Sequence, residues 1–212
     1  MVFSTPYFLF LYLPAVLLIY YAVPPVWRNV VLLLFSLLFY GWGEPVYILL
    51  MVFTILVNYL FGLLVGRCKA RDNIKGAKWA VAGSAVVSLA LLVFFKYWDF
   101  LAGSLASIGL DFMPRLGRTL PIGISFYTFQ AMSYPVDVYR GDAHAQKNPL
   151  TFGTYVTLFP QLIAGPIVCY KDVESQLDQR DHSFDRFAAG IQRFVIGLSK
   201  KVLLANSIGK LW

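Results

Sequence analysis

LPIGISFYTFQAMSYPVDVYRG, residues 120–141, is the stretch on which the fold of this chain turns. It is apolar enough for a membrane, yet polar groups recur inside it. At 3.6 residues per turn, Ser125, Gln130, Ser133 and Asp137 fall within an arc of about 140°. Polar groups at membrane depth are costly unless they face other protein or a water-filled cavity. The stripe fits a helix lining an interior, with Asp137 near one mouth and Arg140, one turn on, as its partner. It fits equally a packed bundle helix whose serines bond back to its own carbonyls. Pro121, Gly123 and Pro135 weaken the helical ladder, which is tolerated where neighbours re-satisfy the backbone.

Composition points to the same solvent. The 212 residues are 58% hydrophobic and only 14% charged, against about 25% charged in an ordinary soluble domain. Mean hydropathy is +0.65. The apolar residues gather in runs long enough to span a bilayer, so an all-α, polytopic membrane protein is expected, with lipid as its first partner. Trp and Tyr stand near run ends, as in interfacial belts. The net charge of +7 reads as membrane topology. Half of the Lys and Arg lie in short loops or beside run ends, and no basic stripe with stacking aromatics suggests a nucleic-acid partner. Cys68 and Cys169 share no motif or metal spacing and are expected to be unpaired thiols. The first charged residue is Arg28. A cleavable signal needs a basic start, so the first run is expected to stay in the mature protein.

Spans are expected near residues 7–23, 30–42, 46–66, 79–98 and 120–138. Pro24-Pro25 closes the first, and Gly41-Trp42-Gly43-Glu44-Pro45 makes a turn before the third. Asn58, inside the third, suits an interhelical hydrogen bond. Lys96 can snorkel beside Tyr97 and Trp98. RCKARDNIKGAK, residues 67–78, holds five Lys or Arg against one Asp, which places it in the cytoplasm. Counting back two spans leaves Arg28 inside, and Glu44 and the N-terminus outside. Arg115 and Arg118 sit awkwardly on the external side this counting gives them.

Residues 151–168 contain TLFPQLIAGPIV. Pro160, Gly165 and Pro166 argue against one straight helix. A broken or re-entrant segment is expected, with Gln161 at the break, lining a cavity or buried in protein. KDVESQLDQRDHS, residues 171–183, reads as an aqueous loop with a turn of helix. Ser183 suits an N-cap and Asp185 a favourable first turn for an amphipathic helix over 184–212. Arg186, Arg193 and Lys200 recur every seven residues on one face, opposite Phe187, Ile191, Phe194, Leu198 and Val202. Such a helix is expected to lie at the cytoplasmic interface and then enter the membrane. No glycine cap with a polar tail closes the chain near Trp212. One membrane domain over 1–212, incomplete at its C-terminus, is expected.

The chemistry-bearing residues are few. His144 in GDAHAQK and His182 in RDHS have polar loop surroundings, whereas a tuned general base needs a shaped, water-poor setting. There is no HExxH, nucleophile elbow or phosphate-cradling loop. No catalytic residue and no metal site is assigned. The candidates that remain could line a passage: Gln130, Ser133, Asp137, Arg140 and Gln161.

PIGISFYTFQAMSYPVDVYRG (121–141) and LFPQLIAGPIVCY (158–170) resemble the membrane-bound O-acyltransferases. The resemblance is closest to their bacterial branch of alginate O-acetyltransferases and teichoic-acid D-alanyltransferases. MVFSTPYFLFLYLPAVLLIYY (1–21), YGWGEPVY (40–47) and GIQRFVIGLSKKVLLAN (190–206) also resemble that branch. The resemblance implies a ring of tilted and broken spans, with funnels from both faces meeting at a buried histidine. That histidine promotes attack of an acceptor hydroxyl on an acyl group delivered from the cytoplasmic side. For the alginate-type branch it implies transfer of acetyl toward an exported polysaccharide, with periplasmic partner proteins, in the bacterial inner membrane. It implies no bound cofactor; the donor is a co-substrate, acetyl-CoA or another acyl thioester. The family's histidine lies downstream of every block present here, and neither His144 nor His182 matches it. The chain is therefore expected to be an N-terminal portion, inactive alone. Cys169 stands where relatives commonly carry a basic residue after GPIV. The alternatives are a teichoic-acid D-alanyltransferase, a multi-span transporter built on the same broken helices, and a truncated, non-catalytic membrane partner.

Overall fold

The computed structural model describes residues 3–109, 114–117, 120–162 and 167–209. The regular structure among them is helical. Helix α1 is Phe8–Ala22, α2 is Arg28–Gly43 and α3 is Ile48–Ala70. Helix α4 runs Ile74–Ser107 through a π-helical stretch at Val93–Tyr97. Then come α5 (Ile124–Arg140), α6 (Pro149–Thr157) and α7 (Tyr170–Asp178). Helix α8, Phe184–Ser199, is prolonged by a π-turn at Lys200–Ala205 and by Asn206–Gly209. Among the described residues, Pro25–Gly43, Ile48–Ala70 and Ile74–Ser107 are long and apolar enough to cross a membrane. The chain is an all-α membrane protein.

Local sequence sets the helix ends. The Asn73 side chain accepts from the Gly76 N–H at 2.9 Å and starts α4. Asn148 accepts from Leu150 N–H at 2.9 Å, with Pro149 supplying the first helical residue of α6. Ser183 accepts from Arg186 N–H at 3.2 Å and opens α8. Helix α5 lies between two left-handed glycines, Gly123 (φ +75°) and Gly141 (φ +85°). It begins at Ile124, later than the expected 120. A Cβ on Gly123 would stand 2.9 Å from the Leu162 carbonyl oxygen, so both backbone angle and space require glycine there.

The helices pack with alternating sense. The Tyr12 hydroxyl donates to the Phe35 carbonyl (2.7 Å) and Phe8 packs edge-on to Phe39, setting α1 antiparallel to α2. Asn58 of α3 binds Ser84 and Ser88 of α4, the interhelical bond expected of it. Helix α5 lies against α3, and its Tyr134, Phe152 of α6 and Tyr170 of α7 form an aromatic cluster, with centroids 4.5 and 4.8 Å from Tyr134. Cross-links gather the basic segments at one end. Lys69 donates to the Val138 carbonyl at 3.1 Å, Thr154 to the Asn29 carbonyl at 2.9 Å, and Arg180 to the Asn29 side chain at 2.7 Å. Arg28, the 67–78 loop, Arg140, Lys147, Lys171 and Arg180 therefore share that end.

Several expectations change. Helix α4 continues past 98 to Ser107, as the apolar sequence there allows, and residues 114–117 are tied back to it: Leu116 N–H donates to Asp99 (2.7 Å) and Trp98 to the Pro114 carbonyl (3.0 Å). The polar 171–183 stretch contains most of α7, whose Tyr170 and Leu177 are buried. Helix α8 runs alongside α1, Phe187 near Tyr21 at one end and Lys201 over Phe3 at the other. Helix α6 ends at Thr157, Leu158 is extended, and a short turn resumes at Phe159–Leu162. Pro160 accounts for the break: it has no N–H to give the Val156 carbonyl and its ring clashes with it. Gly165 and Pro166, Arg118 and residues 210–212 lie outside the described residues.

Candidate functional site: the polar stripe of α5

The stripe lies at the edge of the buried face of α5, which centres on Tyr127, Ala131 and Tyr134, so only part of it is enclosed. Gln130 and Asp137 are 2% and 5% exposed, whereas Phe126, between Ser133 and Asp137 on the helical turn, and Phe129 stand exposed. Ser133 is half-buried, and Ser125 accepts a hydrogen bond from Lys96 at 3.1 Å.

Gln130 is the centre of the arrangement. Its amide nitrogen donates to the Tyr155 carbonyl at 2.9 Å and to the Gln161 side-chain oxygen at 3.1 Å. In an unbroken helix the Tyr155 carbonyl would bond to residue 159; the break at Leu158 leaves it orphaned. Gln130 supplies the missing donor from a different helix. The Tyr155 hydroxyl, buried with it, donates to the Val168 carbonyl at 2.7 Å and lies 3.3 Å from the Ser133 hydroxyl. Ser133 donates to its own helix at the Gln130 carbonyl, 2.8 Å away, as in the packed-bundle reading. Both readings of the stripe thus have a part: the serine bonds locally, while Gln130 and Asp137 reach across.

Asp137 finds a partner other than the one expected. Its carboxylate accepts from the Lys171 backbone N–H at 3.4 Å. That N–H belongs to the first turn of α7, where the helix dipole favours negative charge. Arg140 is exposed, and among the described residues no ion pair joins it to Asp137. It is the last residue of α5, and the chain turns away at Gly141. The structure therefore brings together Gln130, Ser133 and Gln161, sets Asp137 one to two turns along, and leaves Arg140 outside.

Tyr155 is the residue that sequence reading missed. The available signal was a phenol in mid-run, away from the interface where such a group ordinarily finds water. The histidines stand apart from this cluster. His144 is exposed and pairs with Glu174 at 3.3 Å. His182 lies 3.3 Å from the Tyr20 hydroxyl; desolvation, then Arg28 and Arg180, hold its imidazole below the ordinary value. Cys68 and Cys169 are free. Among the described residues no group of three or more His, Cys, Asp or Glu could hold a metal ion. The stripe offers hydrogen-bonding amides, hydroxyls and one carboxylate: groups that position and orient.

No family model and no solved structure matches the chain. Curated proteins do. The chain is 41% identical over 215 residues to a Pseudomonas aeruginosa protein named "Probable alginate O-acetylase", a match covering 100% of this chain and 41% of that protein. It is 41% identical over 212 residues to an Azotobacter vinelandii protein of the same name, covering 98% of this chain and 42% of that one. A Helicobacter pylori "Peptidoglycan O-acetyltransferase" is 31% identical over 239 residues, covering 98% of this chain and 45% of that protein. The chain spans about two fifths of the length of these curated relatives.

Proposed function

Taking as premise that this chain is a relative of the alginate O-acetylases along its whole length, we propose that it is the N-terminal portion of a membrane O-acyltransferase. The complete enzyme moves acetyl from a cytoplasmic acyl thioester, acetyl-CoA or another, toward hydroxyls of an exported polysaccharide. Proteins on the periplasmic side complete the transfer. The observation that carries this reading is the 41% identity over the full chain.

The gathering of basic segments at one end supports an inner-membrane orientation with that end in the cytoplasm and the N-terminus outside. Gln130, Ser133, Gln161 and Asp137 are read as one wall of the passage through which donor or acceptor approaches. Arg140 stands at its cytoplasmic mouth. These are positioning residues, and the histidine that the acyl transfer requires is neither His144 nor His182.

Deleting the gene and measuring O-acetyl groups on the exported polysaccharide by NMR tests the proposal. Acetyl should disappear, and return with the intact gene. Genes carrying His144→Ala or His182→Ala should restore it equally well. Unchanged acetyl content after deletion overturns the reading.

A further inference from the structure

Helix α8 presents much of its apolar side to open space. Phe187, Ile191 and Phe194 stand across a cleft of about 390 Å³ from Tyr21, Leu17 and Leu13 of α1. A second hollow of about 460 Å³ shares Leu13 and Phe194 with the first and continues to Phe3 and Lys201. Gly190 lines the first hollow and Gly197 the second, and a Cβ at either would meet nothing within 4 Å. Seven residues apart, they lie on nearly the same side of the helix and keep the slot deep.

The slot has a cationic end. It opens onto Asp181, His182 and Arg186, and from there onto a polar hollow that Arg180 also lines. The guanidiniums of Arg28 and Arg180 lie 5.3 and 6.0 Å from the centroid of the Tyr20 ring. Among the described residues, Arg28 Nε is buried without a hydrogen-bonding partner. Arg186 is only loosely engaged, 3.8 Å from Asp181 with both side chains exposed. Three arginines meet Asp181 and, in the adjoining cleft, Asp178, which leaves the end positive. It lies where α1 finishes and α2 begins, beside the exposed rings of Tyr21 and Trp27, the level of a membrane–water boundary.

A cationic head pocket at the boundary and an apolar slot below it match one kind of occupant by charge and polarity together. We propose that an anionic phospholipid sits between α1 and α8, its phosphate against Arg180 and Arg186 and one acyl chain in the slot. From Arg186 to Phe194 is about 12 Å of helix at 1.5 Å per residue. That lies within the roughly 15 Å hydrocarbon depth of a single leaflet. A segment of polypeptide laid in the slot would have no need of the cationic end.

Native mass spectrometry of the complete protein in mild detergent tests this, with phosphatidylglycerol or phosphatidylcholine of matched acyl chains as probes. One phosphatidylglycerol should be retained in preference to phosphatidylcholine. Arg186→Gln should lower its retention about tenfold, and Arg180→Gln should do the same. Arg180 also holds Asn29, so the exposed Arg186 carries the test should the other variant misfold. Gly190→Leu, which fills the slot without altering charge, should also displace the lipid. Lys75→Gln, an equal loss of charge in the first turn of α4 and outside both hollows, should not. Equal retention of the two lipids overturns the proposal. So does full retention in Gly190→Leu, the outcome expected if further polypeptide covers the slot instead.

Discussion

The side chain of Gln130 donates to that of Gln161 at 3.1 Å across 31 residues of chain. The same nitrogen satisfies the Tyr155 carbonyl, so one group ties α5 to both sides of the break after α6. Gln130→Leu removes both bonds and strands the buried Tyr155 carbonyl. A cost of about 1–3 kcal/mol follows, read as a lower thermal midpoint in detergent. An unchanged midpoint would mean that the link does not stabilise the break.

Asn58 is fully used between α3 and α4. Its nitrogen donates to the Thr54 carbonyl (2.9 Å) and Ser88 (3.1 Å), and its oxygen accepts from Ser84 (2.7 Å). Asn58→Leu should destabilise the pair by roughly 0.6–1.7 kcal/mol, the span found for polar contacts inside membranes. Reversible unfolding in mixed micelles measures it.

Gly62 leaves room on α3 for the Tyr134 ring of α5. A Cβ there would collide with the Tyr134 ring, which is itself fully buried. Gly62→Ala should therefore force the helices apart, at about 1–3 kcal/mol. Gly43→Ala, where a Cβ meets nothing, should leave stability close to wild type and serves as the control.

His182 should titrate below the ordinary imidazole value of 6.5, through desolvation first and through Arg28 and Arg180 next. The folded chain then binds fewer protons at this site than the unfolded chain. Its contribution to stability is present above pH 6.5 and declines as pH falls below it. Arg180→Gln should move the titration upward, observable by NMR of the imidazole; a downward movement would contradict the assigned cause.

The sequence made legible whatever depends on periodicity or local chemistry. The burial of Gln130 and Asp137, the Ser183 cap and the bond sought by Asn58 follow from local chemistry and from the cost of polar groups in lipid. What it did not reveal depends on contacts between distant segments. Asp137 had Arg140 as its expected partner, one turn on in sequence, yet the first turn of α7 supplies its donor. Tyr155 acquires its role only when the break at Leu158 frees a carbonyl for Gln130. Periodicity showed α8 to be amphipathic, but nothing local told that it would run alongside α1.

The account rests on the buried stripe of α5 serving acyl transfer, and Asp137 tests that most directly. The complete gene carrying Asp137→Ala is expressed in the deletion strain, membrane protein is matched by immunoblot, and polysaccharide O-acetyl is measured by NMR. Acetyl content should fall roughly tenfold, a loss of about 1.4 kcal/mol in transition-state stabilisation. Full acetylation at equal protein level would leave the stripe as packing alone and contradict the account.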